Sequence, residues 1–110
     1  MLSLKKNRDF QRVYHDGRSV ADRNLVIYAS ENGLSGNRLG ISASKKFGNS
    51  VKRHRFQRRI REICRHQEKD LVSGRDIVVI ARSGASESDY HVLEESFVRL
   101  TGRLKVRNGK

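Results

Sequence analysis

Between Ser42 and Arg65 the chain reads Ser-Ala-Ser-Lys-Lys-Phe-Gly-Asn-Ser-Val-Lys-Arg-His-Arg-Phe-Gln-Arg-Arg-Ile-Arg-Glu-Ile-Cys-Arg, with nine Lys or Arg residues against one Glu. The chemistry open to such a stretch is the binding of a polyanion, because each Lys or Arg that neutralises a phosphate releases condensed counterions. Arg dominates, and its planar fork binds phosphate at two points and stacks on bases, which Lys cannot do. From Asn49 or Ser50, either of which can cap a helix, the pattern is helical: Phe56, Ile60, Ile63, Cys64 and Gln67 share one stripe. His54, Arg55, Arg58, Arg61 and Arg65 project the other way, Lys52 opens the basic run, and Arg53 and Arg59 lie at the borders of the stripe. A charged helix side is ordinarily a solvated face, but such a face mixes signs to support itself. Here the signs are barely mixed, so nucleic-acid contact is the stronger reading.

No other chemistry competes. The sequence holds no Gly-rich phosphate loop, no zinc spacing and no bracketed pair of acids for two-metal hydrolysis. The four His residues are dispersed, and His91 with Glu94 reads as a surface pair. The single Cys64 has no partner for an internal disulfide and falls on the apolar stripe, so it reads as a small core residue. With 24 Lys and Arg against 12 Asp and Glu the net charge is +12 and the pI about 10.7, the balance of a nucleic-acid binder or a ligand of acidic membranes. No apolar run approaches the roughly 18 residues of a membrane span, and no signal-peptide core follows Met1. A soluble, unexported, cytoplasmic protein without a membrane partner is expected.

The elements that must position the basic helix follow from periodicity. Asn7 to His15 reads as a short helix capped by Asn7, with Phe10, Val13 and Tyr14 on one face and Gly17 as the stop. Leu25–Ser30 and Arg38–Ser44 are β-rich runs separated by a Gly- and Asn-containing segment, which reads as a hairpin. On the second run Leu39, Ile41 and Ala43 alternate with Gly40, Ser42 and Ser44, so one face is aliphatic and the other leaves room above the sheet. Phe10, Tyr14 and Tyr28 either pack in the core or stand beside that bare face as stacking platforms for unpaired bases. Ile77-Val78-Val79-Ile80 within Asp76–Arg82 is the pattern of a central strand buried on both faces. Ser86 or Ser88 then caps a last helix with Leu93, Phe97, Leu100 and Leu104 on its inner face. Residues 106–110 form the end of a basic tail expected to fray. The expectation is a single domain over residues 1–110, an α/β (α+β) two-layer sandwich in the order αββαβα, with a mixed sheet of about four strands.

At the basic stretch the sequence resembles the bacterial ribonuclease P protein subunit. That family carries Lys-Lys-x-Gly-x-Ala-Val leading into Arg-Asn-Arg-x-Lys-Arg-x-x-Arg-Glu, and Lys45 to Val51 leads here, without gaps, into Arg53 to Glu62. His54 stands where the family usually has Asn, Gln57 where Lys is common, and Arg59 where an aliphatic residue is common. Arg-Asp-Phe-Gln-Arg-Val-Tyr, from Arg8 to Tyr14, is similar to the family's opening helix, and the family places a Tyr at the position of Tyr28. The resemblance implies that Lys52, Arg53, His54, Arg55, Arg58, Arg59, Arg61 and Arg65 face a catalytic RNA. It also implies that Phe10, Tyr14, Tyr28, Ser42, Ser44, Lys45, Lys46 and Arg53 form a cleft for the single-stranded 5′ leader of precursor tRNA. The active site, with its Mg2+, is then expected in the RNA subunit, and the chain needs no cofactor site and no obligate protein partner. General handedness rules favour a right-handed crossover through the basic helix, whereas the resemblance implies a left-handed one.

Two other classes fit part of the pattern. A ribosomal-type RNA-binding scaffold shares the charge but does not require aromatics beside a small-residue sheet face. A self-sufficient nuclease would need acidic metal ligands that the sequence does not group.

Overall fold

The computed structural model of the chain describes residues 1–108. Its strands are β1 (Leu2–Ser3), β2 (Arg18–Ala21), β3 (Leu25–Glu31), β4 (Arg38–Ser42) and β5 (Arg75–Ala81), and its α-helices are α1 (Asn7–Asp16), α2 (Ser50–Gln67) and α3 (Tyr90–Arg103). The strands form one sheet in the spatial order β1-β4-β5-β3-β2. The expected α/β sandwich is present, with five strands rather than about four. The two strands that the periodicity did not locate are edges whose sequences carry little signal: β1 has two residues, and in β2 only Val20 is turned towards the core.

The run Ile77–Val79 is fully buried and β5 is the central strand, as four consecutive apolar residues demand. Its position overturns the expected hairpin. β3 pairs antiparallel with β5 and β4 pairs parallel with β5, so β3 and β4 are not neighbours. An apolar strand needs a partner on each edge and cover on each face, and that requirement outweighs the proximity of β3 and β4 in sequence. The parallel pair β4 and β5 is joined through α2.

One sheet face, carrying Leu25, Ile27, Leu39, Ile77 and Val79, packs on Phe56, Ile60, Ile63 and Cys64 of α2 and on Leu93, Phe97 and Leu100 of α3. Each large side chain buried there stabilises the fold by about 1.5–3 kcal/mol. The opposite face carries a smaller cluster of Val78 with Val13 of α1 and Leu4, flanked by Phe10, Tyr14, Tyr28 and Ile80. The two-layer arrangement thus gains a partial third layer where α1 lies on the sheet.

Helix ends follow local chemistry, with three departures from expectation. Asn49 caps α2 as expected, its side chain accepting from the Lys52 N–H at 2.9 Å. α1 is capped by Lys6 without a side-chain bond, so Asn7 is its first residue rather than its cap. α3 is capped by Asp89, which accepts from Val92 N–H at 3.0 Å, while the Ser88 hydroxyl bonds Gly84 and Asn24 and the Ser86 hydroxyl bonds Ser83. Gly17 does end α1, because a Cβ there would sit 2.6 Å from the Val13 carbonyl oxygen and 2.8 Å from that of Ala29. The tail corrects the third expectation. Leu104 and Val106 are buried, Leu71 bridges to Arg107, and Asn108 bonds Asp70 and Leu71, so the chain is held through residue 108. The fraying expected of residues 109–110 lies outside the described residues.

Candidate nucleic-acid interface

Burying Phe56, Ile60, Ile63 and Cys64 against the sheet fixes the rotation of α2 and turns its other side outward. Lys52, His54, Arg55, Arg58, Arg61 and Arg65 are exposed, while Arg53 and Arg59 are half-buried, at the borders of the stripe as the periodicity placed them. These two are tethered: Arg53 Nη1 donates to the Gly48 carbonyl at 2.9 Å, and Arg59 Nη1 to the Ser88 carbonyl at 3.0 Å. They hold the flanking loops to α2 as well as carrying charge. Arg65 is engaged by Glu62, with contacts of 2.6 and 2.7 Å to the two carboxylate oxygens. Hydrogen bonding from Arg65, and then its charge, hold the Glu62 carboxyl below its ordinary range. Among the described residues, Lys52, Arg55, Arg58 and Arg61 have no acidic partner within ion-pair distance. An unneutralised row of this kind attracts a phosphate backbone.

The other sheet face carries the aromatic set. Strand register places Gly40, Val78, Tyr28 and Ser19 in one transverse row and Ser42, Ile80, Val26 and Ala21 in the next. α1 lies over the first row. Phe10 and Tyr14 have ring centroids 6.3 Å apart, and Tyr14 meets Tyr28 edge-on at 5.0 Å. All three aromatics are half-buried, so each packs on the sheet and still presents ring surface to solvent. Burial, and then the neighbouring Tyr28 phenol, push the Tyr14 hydroxyl above its ordinary value, which keeps it neutral.

The bare face has a different basis from the one expected at Gly40. A Cβ on Gly40 would lie 2.6 Å from two ring carbons of Phe10. Gly40 therefore seats Phe10 rather than leaving room for a ligand. The open row is the next one, at half-buried Ser42, Ile80 and Val26. Ser44, Lys45 and Lys46 leave the end of β4 as an exposed turn, closed by Phe47 N–H to the Ser44 carbonyl at 3.0 Å. Phe47 packs on Phe56 at 5.3 Å and so fastens this basic turn to α2. Phe10, Tyr14, Tyr28 and Ser42 are thus brought to one face with Lys45 and Lys46 at its end, while Arg53 is turned to the Gly48 carbonyl.

The residues that hold α1 in place have no periodic signature in the sequence. Asp76, whose side chain is fully buried, accepts from Arg12 Nη2 of α1 at 2.7 Å, from Arg38 Nε and Nη2 of β4 at 2.8 and 2.7 Å, and from Asn32 Nδ2 at 3.0 Å. Burial alone would raise the Asp76 carboxyl, but the hydrogen bonds from Arg38 and Asn32 and the charges of Arg38 and Arg12 hold it below its ordinary range. A signal was present: an Asp opening a run destined for burial must find partners. The expected His91–Glu94 pair is replaced by a cross-helix contact, since Glu94 lies 3.1 Å from His66 Nδ1 and accepts from Gln67 at 3.0 Å.

Among the described residues no three His, Cys, Asp or Glu side chains are grouped to hold a metal ion, and no helix is long and apolar enough to cross a membrane. A small α/β sandwich with an unneutralised Arg helix on one side and a row of aromatics on the other is an RNA-binding protein. The ribonuclease P family profile matches residues 1–105. A ribonuclease P protein component of Natranaerobius thermophilus is 42% identical over 106 residues, covering 96% of this chain and 92% of that one. Among solved structures, the RNase P protein of Staphylococcus aureus superposes with a TM-score of 0.90 at 39% identity, over 98% of this chain and 99% of that one. The RNase P protein of Thermotoga maritima superposes with a TM-score of 0.85 at 32% identity, over 94% and 97%. The chain belongs to the ribonuclease P protein family.

Proposed function

We propose that the chain is the protein subunit of ribonuclease P, a cytoplasmic ribonucleoprotein that removes the 5′ leader from precursor tRNA, and that its two surfaces bind two different RNAs. The α2 row of Lys52, Arg55, Arg58 and Arg61, with His54 and Arg65, grips the catalytic RNA; Arg53 and Arg59 hold the loops at its flanks. On the other face Phe10, Tyr14 and Tyr28 receive the single-stranded leader by stacking, with Ser42 and Ser44 in the open row and Lys45 and Lys46 drawing in its phosphates. The observation that carries this reading is the pair of surfaces on opposite sides of one sheet, basic on one and aromatic on the other.

The chain's contribution to the reaction is positional. Gripping one RNA with α2 and the leader with the α1 face holds substrate and catalyst in a fixed relation, which raises the effective concentration of the scissile bond at the active site. The hydrolytic chemistry and the Mg2+ that supports it belong to the RNA subunit. The test is cleavage of precursor tRNA with and without a bacterial ribonuclease P RNA. Cleavage at low Mg2+ only when RNA and protein are combined supports the reading. Activity of the protein alone would indicate a nuclease, and no effect of the protein on cleavage by the RNA would indicate a scaffold.

A further inference from the structure

Between β1 and α2 lies a groove of about 450 Å³ that the proposed phosphate contacts do not fill. Its floor is apolar, made by Leu39 and Ile41 of β4 and Cys64 of α2, and Arg58 and Arg61 line it on the helix side. Leu2, on the strand side, is 69% exposed. Leu2 and the floor together present apolar surface beside two guanidinium groups, a pairing that fits a ligand with both an apolar face and negative charge. The two rim cations lack acidic partners among the described residues, so the groove sets an apolar floor beside a phosphate-seeking edge, while Glu62, which also lines it, is held by Arg65.

That combination matches one nucleotide. The flat apolar face of a base fits against the floor while the phosphates on either side reach the guanidinium groups. A paired base is held within its helix, whereas an unpaired one in a bulge or loop can be splayed out into a protein slot. A peptide with the same fit would need acidic residues flanking an apolar one, and the chain already has an RNA partner with phosphates at this helix. We propose that the groove takes a single unpaired nucleotide of the catalytic RNA, its base between β1 and α2 and its flanking phosphates on Arg58 and Arg61. The inference rests on the reading of α2 as the helix that grips that RNA.

Two substitutions fill the groove without removing charge. Cys64→Met extends a side chain from the floor, and Ser3→Leu adds bulk from an exposed position on β1, so one variant leaves the core untouched. Binding of the intact protein to ribonuclease P RNA is measured across a salt series, with base-specific chemical probing of the RNA in each complex. The expected result is affinity lower by roughly tenfold, the scale of one missing base stack, with an unchanged salt slope. One unpaired base shielded by the wild-type protein becomes reactive with both variants. Wild-type affinity and an unchanged shielding pattern for both overturn the proposal. Arg58→Ala in the same series separates the two levels. If it flattens the slope while the groove variants bind normally, only the nucleotide slot is refuted; if it also leaves the slope intact, the RNA-gripping role of α2 falls and the slot with it.

Discussion

Replacing Asp76 by Asn tests whether one buried carboxylate holds the aromatic helix to the sheet. The carboxylate accepts four hydrogen bonds, from Arg12, Arg38 twice, and Asn32. An amide of the same shape offers one oxygen, and its NH2 group meets guanidinium N–H donors, so at least one Arg loses its acceptor. Breaking a buried pair from one side costs about 3–5 kcal/mol when the survivor stays dry. The Arg12 side chain is 41% exposed and that of Arg38 21%, so both recover part of their hydration. The expected loss is therefore about 2–3 kcal/mol, or roughly 8–12 °C in Tm for a chain of this size. The sign of the pH effect follows from the carboxyl lying below its ordinary range in the folded state. Its stabilisation is complete above the unfolded value of about 3.9 and is lost as pH falls through the folded value, so Asp76→Asn should flatten the decline in acid. The assay is urea unfolding of both proteins between neutral pH and pH 3, followed by holoenzyme affinity for precursor tRNA with and without a leader. Because Arg12 ties α1 to this carboxylate, the variant should lose affinity for the leader-bearing substrate and keep it for mature tRNA. An unfolding free energy within about 0.5 kcal/mol of wild type at neutral pH, the range of an ordinary surface change, would refute the reasoning.

Arg58→Ala with Arg61→Ala should weaken binding to ribonuclease P RNA and reduce the logarithmic salt slope by about 1.4–1.8, one increment for each phosphate no longer neutralised; unfolding should move by no more than about 0.5 kcal/mol because both side chains are exposed. Tyr28→Ala, measured on holoenzyme with saturating RNA subunit, should cost about 1–3 kcal/mol for precursor tRNA bearing a leader and almost nothing for mature tRNA; an equal loss for both would make Tyr28 a packing residue. Burial pushes the Cys64 thiol up to about 12, so in the folded protein it should resist iodoacetamide at pH 8 and react once urea unfolds the chain. Rapid labelling of native protein would show that α2 opens far more readily than its packing indicates.

The parts of the fold that were legible in the sequence are those with a strong period or a long apolar run. The α2 stripe and the α3 face announced which side is buried, β5 announced that both are, and the outward fan of α2 followed from its inward stripe by exclusion. Pairing was less legible. Proximity in sequence favoured a hairpin between β3 and β4, but the apolar strand that separates them is read only when the whole sheet is considered at once. The edges β1 and β2 carry almost no inward apolar residues, so no pattern marked them. Leu104 and Val106 were a signal that the tail is anchored, hidden by the charges between and after them. At the site, residue type left the aromatics either in the core or beside the small-residue face, and it misjudged Gly40, whose missing side chain is filled by Phe10. Asp76 was invisible to periodicity because its role depends on Arg12 and Arg38, which lie 64 and 38 positions away.

The position of β5 also governs how the molecule is made. Four strands lie before residue 75, yet none of them can form the finished sheet, because the strand that separates β4 from β3 has not been synthesised. The last strand to emerge from the ribosome is the middle one, and its ladder joins Leu25 to Ala81. Such distant pairings delay folding until the loop-closure entropy can be offset by many native interactions at once. Until then Arg12 and Arg38 lack the carboxylate that joins them, and the apolar flanks of β3 and β4 are open to each other and to other chains. The sheet is therefore closed only when β5 is available to pair with β3 and β4 together, and both of its ladders join distant parts of the chain.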